Sequence, residues 1–157
     1  MKADGAQIAE WIDLVHGRSN GLINVCQTGD WSGVSRTDLN DAAHAALAMD
    51  ATNPEGIYLR ITTLASTKPG QERRRGKDIE SLECPGLAPD MGPARAHPGA
   101  FCERSGLAYP PDQATAMSIV EASGLPTPTL WVDSGWGLYP WWLLFGPLAR
   151  GTEVSQR

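Results

Sequence analysis

The sequence predicts an α+β domain: a mostly antiparallel sheet flanked by helices. Three observations lead there. Apolar residues recur at helical spacing in short, well-punctuated stretches. One run, "IYLRITTL" (57–64), is rich in β-branched residues and alternates in polarity. Two apolar runs near the C-terminal end flank the glycine-bearing turn "SGWG". In order these read helix, strand, helix, strand, long loop, helix, hairpin, the pattern of an α+β arrangement.

The first helix covers 6–16, where Ile8, Ile12 and Val15 form one stripe with Trp11 beside it, and Gly17 supplies the stop. "LINVC" (22–26) reads as a short strand. Thr37 or Asp38 caps a helix through "DAAHAALAMD", which "NPEG" ends. Alternation in 57–64 puts Tyr58, Arg60 and Thr62 on one strand face and Ile57, Leu59, Ile61 and Thr63 on the other. Residues 65–111 are rich in Pro, Gly and charge, and only "ECPGLAPDM" hints at order there. Such a long irregular stretch is usually functional or mobile. Asp112 starts the next helix, Met117 and Val120 face inward, and Gly124 stops it. "PTPTLWVD" then enters a strand and "LYPWWLL" leaves as its partner, with Pro140 suited to an edge or a bulge.

With 157 residues, one domain is the default, spanning 1–147 with a polar tail at 148–157. No run approaches the ~20 apolar residues of a membrane span. The N-terminus carries acids where a signal peptide has its apolar core, so a cytoplasmic protein without a membrane partner is the expectation. Cys26, Cys84 and Cys102 include no CxxC. With His97 they match no familiar zinc spacing, so buried or idle thiols are the better reading. A net charge of −5 argues against a broad nucleic-acid-binding face. Yet Arg73, Arg74, Arg75 and Lys77 crowd into "ERRRGK", a local segment able to contact phosphates or to remain a solvated loop.

Two stretches could carry chemistry. In the hairpin, Ser134 offers a hydroxyl, Gly135 and Gly137 expose backbone N–H groups, and Tyr139 adds a phenol. Such a turn can hold phosphate oxygens while an aromatic stacks on a base, or it can merely pack its tryptophans. In "PGLAPDMGPARAHPG", a strand would display Asp90 at its end. Two-metal nucleotidyl transfer commonly presents carboxylates at i and i+2, on one strand face, but here Gly92 follows Met91.

The succession "GIYLRITTL", "RRRGKDIESL", "PGLAPDMGPARAHPG" and "LAYPPDQATAMSIVEASGLPTPTLWVDSGWGLYPWWLL" resembles the bifunctional DNA primase/polymerase N-terminal (prim-pol) domain of the archaeo-eukaryotic primase superfamily. These domains belong to phage, plasmid and integrated-element replication proteins. The resemblance covers roughly 56–147 and implies a primase-polymerase core with an RNA-recognition-motif-like sheet. It implies metal-dependent nucleotidyl transfer with Mg2+ or Mn2+, acting on a DNA template with nucleoside triphosphates. A replicative helicase, or a second chain supplying missing parts, would be the protein partner. On this resemblance Asp90 is the metal-binding acid, and Asp90, Ser134 and Tyr139 are the catalytic positions. Arg60, Ser134, Gly135, Gly137 and Tyr139 would bind nucleotide, and Arg73, Arg74, Arg75 and Lys77 would contact nucleic acid.

The chain departs from the family pattern. Gly92 stands at the second acid, Tyr139 at the family's histidine, and Glu153 is the sole acid after Pro147. The isolated chain is therefore expected to polymerise poorly or not at all. Alternatives are a non-catalytic nucleotide- or nucleic-acid-binding remnant and a tryptophan-rich protein-interaction module.

Overall fold

The computed structural model describes residues 4–53, 56–66, 75–91, 108–133 and 137–151. Among them are three α-helices and two small antiparallel sheets, so the fold is α+β. Contacts gather the chain into two compact units. Unit 1 comprises residues 1–85 and 144–157, and unit 2 comprises residues 86–143.

Unit 1 is built on a three-stranded sheet in which β1 (Ile23–Gln27) lies between β2 (Gly33–Arg36) and β3 (Ile57–Leu59). Helix α1 (Gly5–His16) starts where the Asp4 carboxylate accepts from the Ala6 N–H, satisfying one orphan donor of the first turn. Ile12, Val15 and His16 are its buried residues. Gly17 ends the helix in right-handed geometry, so no left-handed cap is formed. Strand β1 (Ile23–Gln27) is buried from Ile23 to Cys26, as befits a central strand. Strand β2 (Gly33–Arg36) pairs with it, Cys26 opposite Gly33. Helix α2 (Leu39–Thr52) begins at Asp38, whose carboxylate accepts from the Asn40 and Asp41 N–H groups. Its small residues Ala42 and Ala43 let it close on Ile12 and Ile23.

Strand β3 (Ile57–Leu59) is shorter than the alternating sequence suggests. Leu59 lies opposite Val25, yet Leu64 lies opposite Leu22. Five steps along one segment thus face three along the other. The extra residues form an irregular, bulge-like stretch that frees Arg60 and Thr62 from strict alternation. Leu64 also bridges to Ser81, just after a short 3-10 turn at Asp78–Glu80.

The second sheet has order β4-β6-β5, and the boundary between the units falls within β4 (Glu83–Leu87) and β6 (Leu138–Ala149). In unit 1, the Arg150 N–H donates to the Leu82 carbonyl at 2.8 Å. In unit 2, helix α3 (Gln113–Ala122) begins at Asp112, which accepts from Thr115, and is followed by Gly124 at φ +75°. Ala116 and Val120 are its buried positions, whereas Met117 is exposed. One residue's rotation of about 100° carries Met117 off the inward stripe. Strand β5 (Leu130–Asp133) pairs antiparallel with β6, Asp133 opposite Leu138. Pro140 is buried opposite Trp131 in the middle strand of its sheet, not at an edge. A strand as long as β6, 12 residues, tolerates the loss of one ladder donor.

Candidate functional site

Unit 1 contains a cavity of about 350 Å³ lined by Cys26, Trp31, Tyr58, Arg60, Thr62, Arg75 and Asp78, among others. Its geometry begins in the β1–β2 connection, "TGDW". The Gln27 N–H donates to the Ser32 carbonyl at 2.9 Å, closing the turn. The Asp30 carboxylate accepts from the Ser32 N–H at 2.8 Å and from the Gln27 amide at 3.2 Å. Those bonds stabilise its charged form and hold its carboxyl below the usual carboxylate range. Between these anchors Trp31 sits at φ +57°, the one non-glycine residue with positive φ among those described. For an L-residue that conformation costs roughly 1–2 kcal/mol. Such strain clusters at sites where a side chain must be presented in one direction.

The Trp31 indole meets the Tyr58 ring at a centroid distance of 5.3 Å and a tilt of 39°. Both side chains remain exposed, 41% and 51% respectively, so together they offer apolar surface to a ligand. The Arg75 guanidinium carbon lies 4.8 Å from the Trp31 ring centroid, a cation–π contact.

Arg60 organises the cavity's other wall. Its side chain is 8% exposed. Nε donates to the Thr62 hydroxyl at 2.9 Å. Nη1 reaches the Arg75 and Gly76 carbonyls, each at 3.4 Å. Nη2 reaches the Lys77 carbonyl at 3.3 Å and the Ser81 hydroxyl at 2.7 Å. A guanidinium has five N–H donors, and these contacts engage all of them. An ion pair to Asp78 at 3.5 Å balances its charge. Arg60, for which nucleotide binding is the expectation, grips the 75–78 segment and so places Arg75 and Asp78. Gly76 lies under that grip at φ +79°, where a Cβ would come within 2.9 Å of the Leu64 side chain.

Beneath the cavity Cys26 is buried, and burial pushes its thiol up, against the opposing pull of Arg75 and Arg60. His16 is also buried, edge-on to Trp11 at 5.9 Å. Desolvation lowers its imidazole to about 4, partly offset by the nearby Arg60 backbone. At neutral pH it is an uncharged filler of the core.

The hairpin positions lie in unit 2. Ser134 and Gly135 fall outside the described residues, as do Gly92, Arg73 and Arg74. Asp90 is exposed, three residues beyond the end of β4. The Met91 N–H donates to the Leu138 carbonyl at 3.2 Å, so Asp90 and Tyr139 each adjoin a partner in one hydrogen bond. Asp133 closes the other strand and accepts from the Gln113 amide at 2.7 Å. Gly137, buried, immediately precedes β6. Among the described residues no group of three or more His, Cys, Asp or Glu side chains could hold a metal ion. Those residues alone do not assemble the donor set of a two-metal centre.

Trp141 is buried. Trp142 donates its Nε1–H to the Pro126 carbonyl at 2.6 Å and walls an apolar groove of about 610 Å³ with Leu87, Pro89 and Leu125. Trp31, which sequence reasoning passed over, carries the exposed aromatic surface. Its only advance signal was a large aromatic in a turn otherwise made of Gly, Asp and Ser. No helix among the described residues is long and apolar enough to cross a membrane. Comparison with protein-family models, curated proteins and solved structures found no match for the chain.

Proposed function

We propose that this chain is a nucleotide- and single-stranded nucleic-acid-binding module of prim-pol type, with weak or absent turnover in isolation. The observation that carries the reading is the strained Trp31, in tilted contact with Tyr58 and covered by Arg75, lining a small cavity. Every base has a π-face, so exposed aromatics beside cations suit single strands. Arg75 adds positive charge at that surface on an otherwise acidic chain. In this reading a base enters the cavity while Arg75 and Lys77 lie toward the phosphates.

Binding of a labelled deoxythymidine oligomer, followed by anisotropy at increasing salt, tests it. Affinity should fall as salt rises. Trp31→Ala should weaken binding by about 5- to 150-fold, the worth of one base–aromatic stack. Salt-independent binding, or binding indifferent to Trp31, would overturn the proposal.

A second reading is metal-dependent nucleotidyl transfer at the hairpin of unit 2. The Met91–Leu138 bond favours it, because it draws Asp90 beside Tyr139 and the Asp133 end of β5. Against it, Gly92 removes one carboxylate, and the described residues gather no group of three metal donors. Each missing ligand weakens a two-metal clamp whose stabilisation is worth several kcal/mol. Primer extension with Mg2+ or Mn2+ should therefore yield no product above background. Robust extension abolished by Asp90→Ala would establish turnover instead.

A further inference from the structure

The unit 1 cavity sets one carboxylate, Asp78, beside two arginines, Arg60 and Arg75. Arg60, its most buried cation, has all its donors engaged by protein acceptors. The other charged groups lining the cavity are the Arg75 guanidinium, which lies over the Trp31 ring, and the Asp78 carboxylate, its one charged acceptor. Asp78 is fully exposed, and among the described residues its ion-pair contact is through one oxygen at 3.5 Å. A carboxylate repels phosphate oxygens and invites N–H or O–H donors.

Its backbone is held firmly. The Arg60 grip and the left-handed Gly76 precede it. The Lys77 N–H donates to the Glu80 carboxylate at 2.6 Å, and the Ser81 N–H returns to the Asp78 carbonyl at 3.1 Å. The carboxylate therefore extends from a fixed turn at the solvent-facing rim of the cavity that Trp31 and Tyr58 also line, a cavity of small-ligand size.

We propose that this cavity is a base subsite selective for guanine, in which Trp31 and Tyr58 provide the stacking surface and Asp78 accepts from the N1–H and the N2 amino group. The inference rests on the nucleic-acid-binding reading above and deepens it. Among the bases, guanine presents two adjacent donors on its Watson–Crick edge, which a carboxylate can receive together. Adenine and cytosine offer an amino group next to an acceptor nitrogen, and uracil offers one ring N–H between two carbonyls. Each of those leaves a carboxylate oxygen facing an acceptor. A bidentate contact is worth roughly 5- to 150-fold in discrimination, and full solvent exposure of Asp78 places the expectation near the lower end.

The test is competition of guanosine, inosine, adenosine, cytidine and uridine 5′-monophosphates against a labelled oligonucleotide on the full chain. Guanosine monophosphate should compete about five- to tenfold better than the others. Inosine, which lacks only the amino group, should fall with the weak competitors. Asp78→Asn should level the series while leaving oligonucleotide binding measurable. Equal competition by all five, or a guanine preference that survives Asp78→Asn, overturns guanine selectivity but leaves the binding reading standing. A chain that binds neither oligonucleotide nor nucleotide overturns both. The comparison of guanosine with inosine needs no variant, so it decides the matter even if Asp78→Asn disturbs the Arg60 contact.

Discussion

Trp31 concentrates the site's demands in one residue. It occupies left-handed backbone at φ +57°, held by the Asp30 bonds on either side of it. Asp30→Ala should loosen the turn and weaken oligonucleotide binding while leaving the far-UV circular dichroism of the helices unchanged. His16 makes a different single-residue prediction. Its folded value, about 4, lies below the ordinary 6.5. Between those values the unfolded chain takes up a proton that the folded chain refuses. Stability is therefore fully present above pH 6.5 and is lost as pH falls toward 4. The loss is on the order of 3 kcal/mol at most. Urea midpoints at pH 7 and pH 4.5 should differ in the parent by more than in His16→Gln. Neither residue's role was legible in the chain. Trp31 acquires meaning only when β1 brings residue 58 beside the turn and Arg60 fixes residue 75. His16 looked like one more position at a helix end until the turn of α1 carried it inward.

At the scale of elements, the helices were the most readable because their punctuation is local. Asp38 and Asp112 cap as their side-chain chemistry requires, and Asp38→Ala should cost about 1 kcal/mol in a denaturant titration. Ile12, fully buried between α2 and the sheet, should cost about 2–5 kcal/mol on truncation to Ala. Strands were harder. "GVSR" is short, half polar and follows a turn, so β2 carries no signal until β1 offers it a ladder. The run 57–64 reads as one strand, but the slip between Val25–Leu59 and Leu22–Leu64 breaks it after Leu59. Periodicity cannot register a slip, since it depends on the partner strand. The hairpin at 130–149 was legible from its paired apolar runs, though β6 proved central and far longer on its second arm. Gly76→Ala tests the loop that the slip makes possible. Positive φ and a 2.9 Å approach to Leu64 should make the variant less stable by roughly 1–3 kcal/mol and should impair binding along with it.

On the scale of the whole molecule, the α+β class was readable from the order of segments, but the grouping into units was not. A hydrophobic pattern says which residues prefer burial and nothing about which distant segment buries them. Residues 1–85 enlist residues from 144 onward, and the intervening chain forms a unit of its own. The residues of the unit 1 cavity divide in the same way. Of the "RRRGK" run, Arg75 reaches the Trp31 ring. That ring comes from a segment more than forty positions upstream, where a large aromatic in a short polar turn was its one signal.

That interleaving has a consequence for synthesis. Unit 1 receives its last segment only after the whole of unit 2 has been translated. The carbonyl of Leu82 must wait for the amide of Arg150. A nascent chain emerging in order therefore holds an unfinished first unit, with its sheet margin open, throughout translation of the second. Ribosome-bound chains stalled with residue 143 just outside the exit tunnel should be protease-sensitive around 82–85. Those stalled with residue 151 exposed should gain protection there, and the first unit should mature last.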